Sequence, residues 1–399
     1  MNREQKIIFK KAQEGTSLFI TGSAGVGKSY LISEIIQSFE NRKLGVCAMT
    51  GAAAVLINGT TLHSFMGIGL GTGTIESLLL KMKKYRTLKK IKNLEVLIVD
   101  EVSMLGLALF ETINELFKNI KGNRFPFGGI QLILVGDPFQ LSPVKDEYCF
   151  LSPQWDSLNI TTCKLNTNMR TNQNSFKELL DNLRFGICTE SNYSLLHKMT
   201  KTEFEGDITP TRLFSMNRDS EEINSYELKR LIDTGAEKMT YPILRKNKDS
   251  QKYIDSIKLD ESLELCVGAQ VVVTRNINIE DGIVNGTRGV ITQLTPSGIY
   301  IKRNSGVEIN VCYFFHKSED SSIEFEYLPI RLAWAISIHS SQGMTLDAIE
   351  IDLGKSVFAC GQAYTGLSRG RNAESIKITK LSRTAFKTNK NIIDFYNKY

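Results

Sequence analysis

Two spacings of apolar residues alternate along the first 165 positions. Short runs rich in apolar residues at 17–21, 44–49, 96–100 and 131–136 are separated by stretches of helical spacing at 3–14, 29–40 and 105–119. Runs this short, bounded by turn residues, fit strands buried on both faces, and their alternation with helices predicts βαβ units: a parallel sheet with helices on both sides. Chemistry in such sheets collects at the carboxyl ends of the strands. The pattern breaks at about 66–92 into a glycine-rich stretch and a basic one (Lys81, Lys83, Lys84, Arg86, Lys89, Lys90, Lys92). That basic run is read equally as a solvated helix face and as a nucleic-acid contact or wedge.

A second α/β pattern starts near Leu165, with a helix from Asn174 to Arg184 closed by Gly186 and a strand from Thr211 to Ser215. From 263 to 327 the chain turns strand-rich and turn-punctuated (Asp281-Gly282, Asn285-Gly286, Asn304-Ser305-Gly306), which predicts a small β-barrel insertion. Helix and strand alternation resumes at Leu328, with strands near 346–353 and 374–379. The expected organisation is therefore a first domain over 1–165, a second over 166–262 and 328–399, and an inserted barrel over 263–327.

Composition narrows the class. A chain of 399 residues exceeds one ordinary core. Its formal net charge of +6 suits a polyanionic partner as well as simple solubility. Seven cysteines without a C-x-x-C pair fit neither a disulfide framework nor a zinc site, so a soluble protein of a reducing intracellular compartment is expected. The start lacks a signal-peptide apolar region and no run is long enough to span a bilayer, so no membrane partner is expected.

The chemistry begins at Gly22-Ser23-Ala24-Gly25-Val26-Gly27-Lys28-Ser29, a complete G-x-x-x-x-G-K-S phosphate loop between an apolar run and a helical stretch from Tyr30. Its backbone N–H groups close around phosphate oxygens, Lys28 supplies a cation for the β- and γ-phosphates, and Ser29 offers an oxygen to Mg²⁺. Leu97-Ile98-Val99-Asp100-Glu101 places two carboxylates at a strand end: Asp100 as a second metal anchor, Glu101 to orient or deprotonate water. Gln140, after the buried run ending at Gly136-Asp137-Pro138-Phe139, both donates and accepts and so senses γ-phosphate and water together. Asn2-x-x-Gln5 reads either as a capping box or as an amide that pairs with adenine. Arg170 and Arg369, both assigned to the second α/β unit, are candidates to stabilise γ-phosphate charge.

Together these residues resemble the PIF-type (petite integration frequency) DNA helicases, relatives of RecD and the phage Dda helicase in superfamily one, subgroup B. The likeness runs from Asn2-Arg3-Glu4-Gln5 through the phosphate loop, Thr50-Gly51-Ala52-Ala53-Ala54, Gly59 to Phe65, Asp100 to Met104, Pro126 to Leu132 and Gly136 to Leu141. It continues through Val267 to Val271, Asn285 to Gly289, His339-Ser340-Ser341-Gln342-Gly343-Met344-Thr345 and Tyr364 to Arg371. It implies two RecA-like P-loop domains with an SH3-like insertion in the second, and ATP-driven 5′-to-3′ movement on single-stranded DNA with unwinding of 5′-tailed duplex, in replication, recombination or repair. It implies further that Gln5, the loop residues, Tyr30, Gly343 and Arg369 bind the nucleotide, and that Thr50, Gly51, His63, Ser64, Phe65, His339 and Ser341 contact DNA. Base stacking on His63 or Phe65 and phosphate contact from hydroxyls suit a strand held without sequence reading. ATP and Mg²⁺ are the expected cofactors. A monomeric or weakly self-associating protein is expected, with replication proteins as further partners.

Ser340 stands where the family often has Lys, so one phosphate contact or nucleotide link is expected to be weaker or supplied elsewhere; Ser142 stands where Pro is usual and Gly366 where Ala is usual, and neither removes a catalytic group. The chain lacks the long extensions of larger members, so their extra partners are not expected here. The alternative reading is a DNA-stimulated ATPase or nucleic-acid-binding switch without strand separation. A metabolite kinase leaves the second domain and its two arginines unexplained.

Overall fold

The computed structural model describes the chain apart from residues 70, 85–86, 172, 205–208, 246–249, 258, 279–280 and 318–322. Arg86 of the basic run lies outside the described residues. Contacts divide the chain into unit 1, Met1–Arg170 with Thr388–Tyr399, and unit 2, Thr171–Lys387.

Unit 1 is a six-stranded sheet with every neighbouring pair parallel. Its strands are β1 (Leu18–Gly22), β2 (Leu44–Ala48), β3 (Thr60–Thr61), β4 (Val96–Asp100), β5 (Gln131–Val135) and β6 (Thr161–Leu165), in the order β3-β2-β4-β5-β1-β6. Every residue of β1, β4 and β5 is buried, as their unbroken apolar runs require for strands covered on both faces. One core cluster joins Ile8 and Ala12 of helix α1 (Arg3–Gln13), Leu31, Ile32 and Ile35 of helix α2 (Lys28–Ser38), and Leu18, Ile20, Val96, Ile98, Ile133 and Val135 of the sheet.

At the amino edge, buried Gln131 donates to the carbonyls of Ala12 (2.7 Å) and Thr16 (2.9 Å) and accepts from Arg42 (2.7 Å). A fully bonded interior amide fixes register here rather than serving chemistry. The preceding Pro126–Gly129 turn holds Phe127 at φ 48°, which tucks its ring between Phe110 and Phe117.

The last helix, Lys390–Lys398, belongs to unit 1 although the sequence reading extends the second domain to 399. Its Phe395 ring stacks on Phe150 at 4.1 Å and meets Phe19 and Trp155. Strand β6 and the residues to Arg170 likewise stay with unit 1, because β6 pairs along its whole length with β1.

Unit 2 has a four-stranded parallel sheet in the order 335–337, 211–214, 349–353, 376–381. The helix Asn174–Arg184 forms where expected. A five-stranded antiparallel sheet (308–312, 298–302, 288–295, 270–273, 330–332) buries Val271, Val273, Ile291, Ile299, Ile301 and Val311. Strand content outruns the 263–327 window on both sides: Lys238–Pro242 pairs with Ser262–Cys266, and Ile330–Leu332 pairs with Gln270–Val273. These pairings join segments about 20 or more residues apart, and local spacing carries no trace of them. Arg288 ties this sheet to the parallel one. It is 2% exposed, donates to the carbonyls of Thr209 (2.7 Å) and Ala348, and lies 3.3 Å from Asp347.

Among the described residues, no helix is long and apolar enough to cross a membrane.

Candidate functional site

The predicted residues of unit 1 gather along one sheet edge. Strands β1, β5 and β4 lie side by side and parallel, so Gly22, Gly136 and Asp100 all emerge at their carboxyl ends. Beyond β1, strand β6 leads to Arg170; beyond β4, strands β2 and β3 lead to Thr50 and His63. Nucleotide candidates thus occupy the middle and one end of the edge, and DNA candidates the other end.

The phosphate loop is shaped by glycine. Gly25 (φ 87°) and Gly27 (φ 83°) adopt left-handed backbone that other residues enter at a cost. A Cβ on Gly25 would stand 2.6 Å from the Cβ of Arg170, and one on Gly27 would stand 2.7 Å from Nε2 of Gln5. Lys28 donates to the carbonyls of Gly22 (2.8 Å) and Ser23 (3.0 Å), holding its ammonium inside the loop's curve. Gly27 caps α2 without any side-chain bond, leaving the first-turn N–H groups and the positive end of the helix to an external anion. The buried hydroxyls of Thr21 and Ser103 have no partner among the described residues. Ser29 and Tyr30 are exposed at the start of the helix. This donor set fits a triphosphate.

Asp100 is 7% exposed, and its Oδ1 accepts the Glu101 N–H at 2.8 Å. Burial, reinforced by the charge of Glu101, pushes Asp100 up to about 7 against the pull of Lys28. A carboxyl held so uncomfortably fits a divalent cation, which would restore its charged form. Glu101 has φ 53° and ψ 40°, a left-handed conformation costly for a residue with a Cβ and typical of functional turns. Gly136 lets the next loop approach: a Cβ there would stand 3.0 Å from the Val102 nitrogen. In that loop Asp137 is fully buried, its carbonyl accepts the Gln140 N–H at 3.0 Å, and Gln140 is 4% exposed.

Gln5 realises the capping box: Asn2 Oδ1 accepts its N–H at 2.8 Å, and its Oε1 accepts the Asn2 N–H at 3.0 Å. Its Nε2 also reaches the Gly27 carbonyl at 3.5 Å. One amide therefore caps α1 and touches the phosphate loop. Arg170 does not belong to the second unit. Its N–H donates to Asn168 Oδ1 at 2.9 Å while Asn168 bonds the Ala24 carbonyl, so the segment after β6 lies against the loop. The sequence reading missed Asn168, whose only signal was its place in Asn168-Met169-Arg170.

On the DNA-candidate end, Thr50 caps helix α3 (Gly51–Leu56) by accepting the Ala53 N–H at 3.2 Å. Helix α4 (Leu62–Met66) turns Leu62, Phe65 and Met66 inward and leaves His63 half-buried and Ser64 exposed. Phe65 is corrected from a base-stacking candidate to a core residue: it is 5% exposed, fills the space beside Gly45, and carries the Lys90 ammonium 4.6 Å above its ring. Burial holds the His63 imidazole below its ordinary value, in its neutral form.

In unit 2, the sheet's carboxyl edge carries His339 and Ser340, both half-buried, with Ser340 within 3.4 Å of Asn217. Ser341 is corrected as well. Its hydroxyl is fully buried and donates to the Ile338 carbonyl at 2.8 Å, so helix-like turning spends the group internally. Arg369 is 2% exposed and donates to the Thr365 carbonyl (2.9 Å), Ser368 Oγ (2.7 Å) and the Ser341 carbonyl (3.4 Å). Both amide atoms of Gln342 and the hydroxyl of Thr365 are buried without partners among the described residues. Orphaned interior polar groups are rare, and the sequence motif His339 to Thr345 assigns Gln342 no role. Gly343 is exposed beside it at φ 75°.

The PIF1-like helicase pattern matches residues 1–193, and the 2B domain of DNA helicase Pif1 matches residues 256–294. The chain is 30% identical to the ATP-dependent DNA helicase Pif1 of Bdellovibrio bacteriovorus, covering 100% of this chain and 92% of that one. It belongs to the PIF1-like helicase family. The Danio rerio ATP-dependent DNA helicase PIF1 is 35% identical over all of this chain, which spans 64% of that relative's length. Pif1 of Bacteroides sp in complex with ADP-AlF4 superposes with a TM-score of 0.84 at 28% identity, covering 100% and 96% of the two chains. Bacteroides Pif1 bound to ssDNA gives a TM-score of 0.69 at 26% identity, again over 100% and 96%. The two parallel-sheet units of this PIF1-like chain are accordingly RecA-like α/β folds.

Proposed function

We propose that this chain is an ATP-dependent DNA helicase that moves 5′ to 3′ on single-stranded DNA and separates 5′-tailed duplex. The observation that carries the reading is the convergence of Lys28, Asp100, Glu101 and Gln140 on one sheet edge, around a glycine-formed anion cradle, in a member of a helicase family. In this reading the loop from Gly22 to Ser29 grips the phosphates, and Tyr30 and Gln5 flank the nucleotide. Asp100 and Ser29 would hold Mg²⁺, which neutralises charge on the phosphates. Glu101 takes a proton from the attacking water while Gln140 orients it. Arg170 stands over the loop as a cation for the γ-phosphate. Gly343 and Arg369 are the second unit's contribution to the nucleotide. Thr50, Gly51, His63, Ser64 and His339 line the DNA track.

The insertion in unit 2 is proposed as SH3-like. Replication, recombination or repair of DNA is the proposed setting, with a monomer as the working form. Strand displacement with 5′-tailed, 3′-tailed and blunt duplexes, with and without ATP, tests the reading. Product from the 5′-tailed substrate alone supports it; ATP hydrolysis that DNA leaves unchanged, without displaced strand, overturns it.

A further inference from the structure

The last helix approaches the nucleotide edge from a direction the motifs do not show. Tyr396 meets Phe139 edge-on, with ring centroids 5.1 Å apart and planes at 73°. Phe139 is 1% exposed and immediately precedes Gln140, and its N–H bonds Asp137 Oδ1 at 3.3 Å. The same helix is fixed at three further points. Lys164 of β6 donates to the Tyr396 carbonyl at 2.9 Å and holds its ammonium 4.0 Å above the Tyr396 ring. Phe395 stacks on Phe150 and touches Phe19, three residues before Gly22. Lys398 and the Tyr399 hydroxyl both reach Asp156 Oδ1, at 2.8 and 3.0 Å. The inward positions Ile392, Phe395 and Tyr396 follow helical spacing, so one face carries all the aromatic contacts.

We infer that this helix is a brace for the Asp137–Gln140 turn, with Tyr396 as a positioning residue that sets the Gln140 amide through Phe139. The inference rests on the hydrolytic role proposed for Gln140. Within the turn the Gln140 N–H bonds the Asp137 carbonyl and the Phe139 N–H bonds the Asp137 side chain, and the Tyr396 edge contact pins the buried Phe139 ring from outside it. An amide that orients water must be held to fractions of an ångström, so loosening Phe139 costs turnover rather than nucleotide affinity.

The test compares Tyr396→Ala and Tyr396→Phe with the native chain, and takes Asp394→Asn, on the helix's exposed face, as a control. Tyr396→Ala should lower kcat for DNA-stimulated hydrolysis about tenfold while KM for ATP and fluorescent-ADP affinity stay within about twofold. Amide exchange at Phe139 and Gln140 should rise about tenfold or more while amides of 288–302 are unchanged. Tyr396→Phe should restore both, and Asp394→Asn should move neither. Unchanged exchange at 139–140, or a kcat loss matched by the fraction of unfolded protein, overturns the inference. Should the native chain show no hydrolysis, the functional reading falls while the exchange experiment still decides the brace.

Discussion

The carboxyl edges of the two parallel sheets differ in what they do with their polar groups. In unit 1, Lys28 curls into its own loop, Glu101 sits in a left-handed turn, and Asp100 is held far from its ordinary ionisation. In unit 2, Arg369 and Ser341 are buried and bonded to their own backbone, and the strain shows instead as the orphaned amide of Gln342. One edge keeps charge ready for a ligand, and the other keeps geometry. Substitutions should therefore separate chemistry from architecture according to the edge they strike.

The largest effects belong to unit 1. Lys28→Ala and Glu101→Gln should each lower kcat for ATP hydrolysis by about 10²-fold or more, since in the proposed reading each removes a group that acts on developing charge or on the attacking water. Melting temperatures should move by no more than a few degrees, because both side chains are only half-buried; a large drop in melting would erase the contrast. Next comes Arg288→Ala in unit 2, which strands the Thr209 and Ala348 carbonyls and leaves Asp347 without its cation. A loss of about 3–5 kcal/mol in urea unfolding is expected.

Acidity sharpens the contrast further. The folded state keeps a proton on Asp100 that the unfolded chain releases near pH 4, so the stabilisation is complete below that and is lost as pH rises through about 7. Without Mg²⁺, thermal stability should fall more steeply from pH 4 to 8 in the native chain than in Asp100→Asn, and Mg²⁺ with ADP should flatten the native curve. Parallel curves would refute the strained carboxyl. The smallest effect belongs to Ser64→Ala, whose exposed hydroxyl should contribute only about two- to fivefold to ssDNA affinity by anisotropy titration. Phe65→Leu, by contrast, should lower melting and leave that affinity per folded molecule unchanged.

What the sequence disclosed tracks how local the physics is. The phosphate loop, β4 with its two carboxylates, and the helix Asn174–Arg184 were legible because glycine placement, apolar runs and helical spacing act within a few residues. The capping box and the adenine reading both fit Asn2-x-x-Gln5, and only the folded structure brings the amide to Asn2 and within reach of Gly27. Phe65 and Ser341 failed for one reason: a residue type suited to DNA is equally suited to a core or to a turn, and burial is a tertiary property. The pairing of 238–242 with 262–266, the retention of Arg170 by the first unit and the return of the last helix all depend on partners distant in the chain.

That return has a mechanical consequence. Because unit 1 owns both Met1–Arg170 and Thr388–Tyr399, the polypeptide passes between the units twice, at 170/171 and at 387/388. Unit 2 is thus tethered to unit 1 by two covalent crossings, and cutting either leaves the other intact. A tug applied through the second crossing enters the last helix at its cap, Asn389, and works against the Phe395 stack on Phe150 among that helix's other anchors.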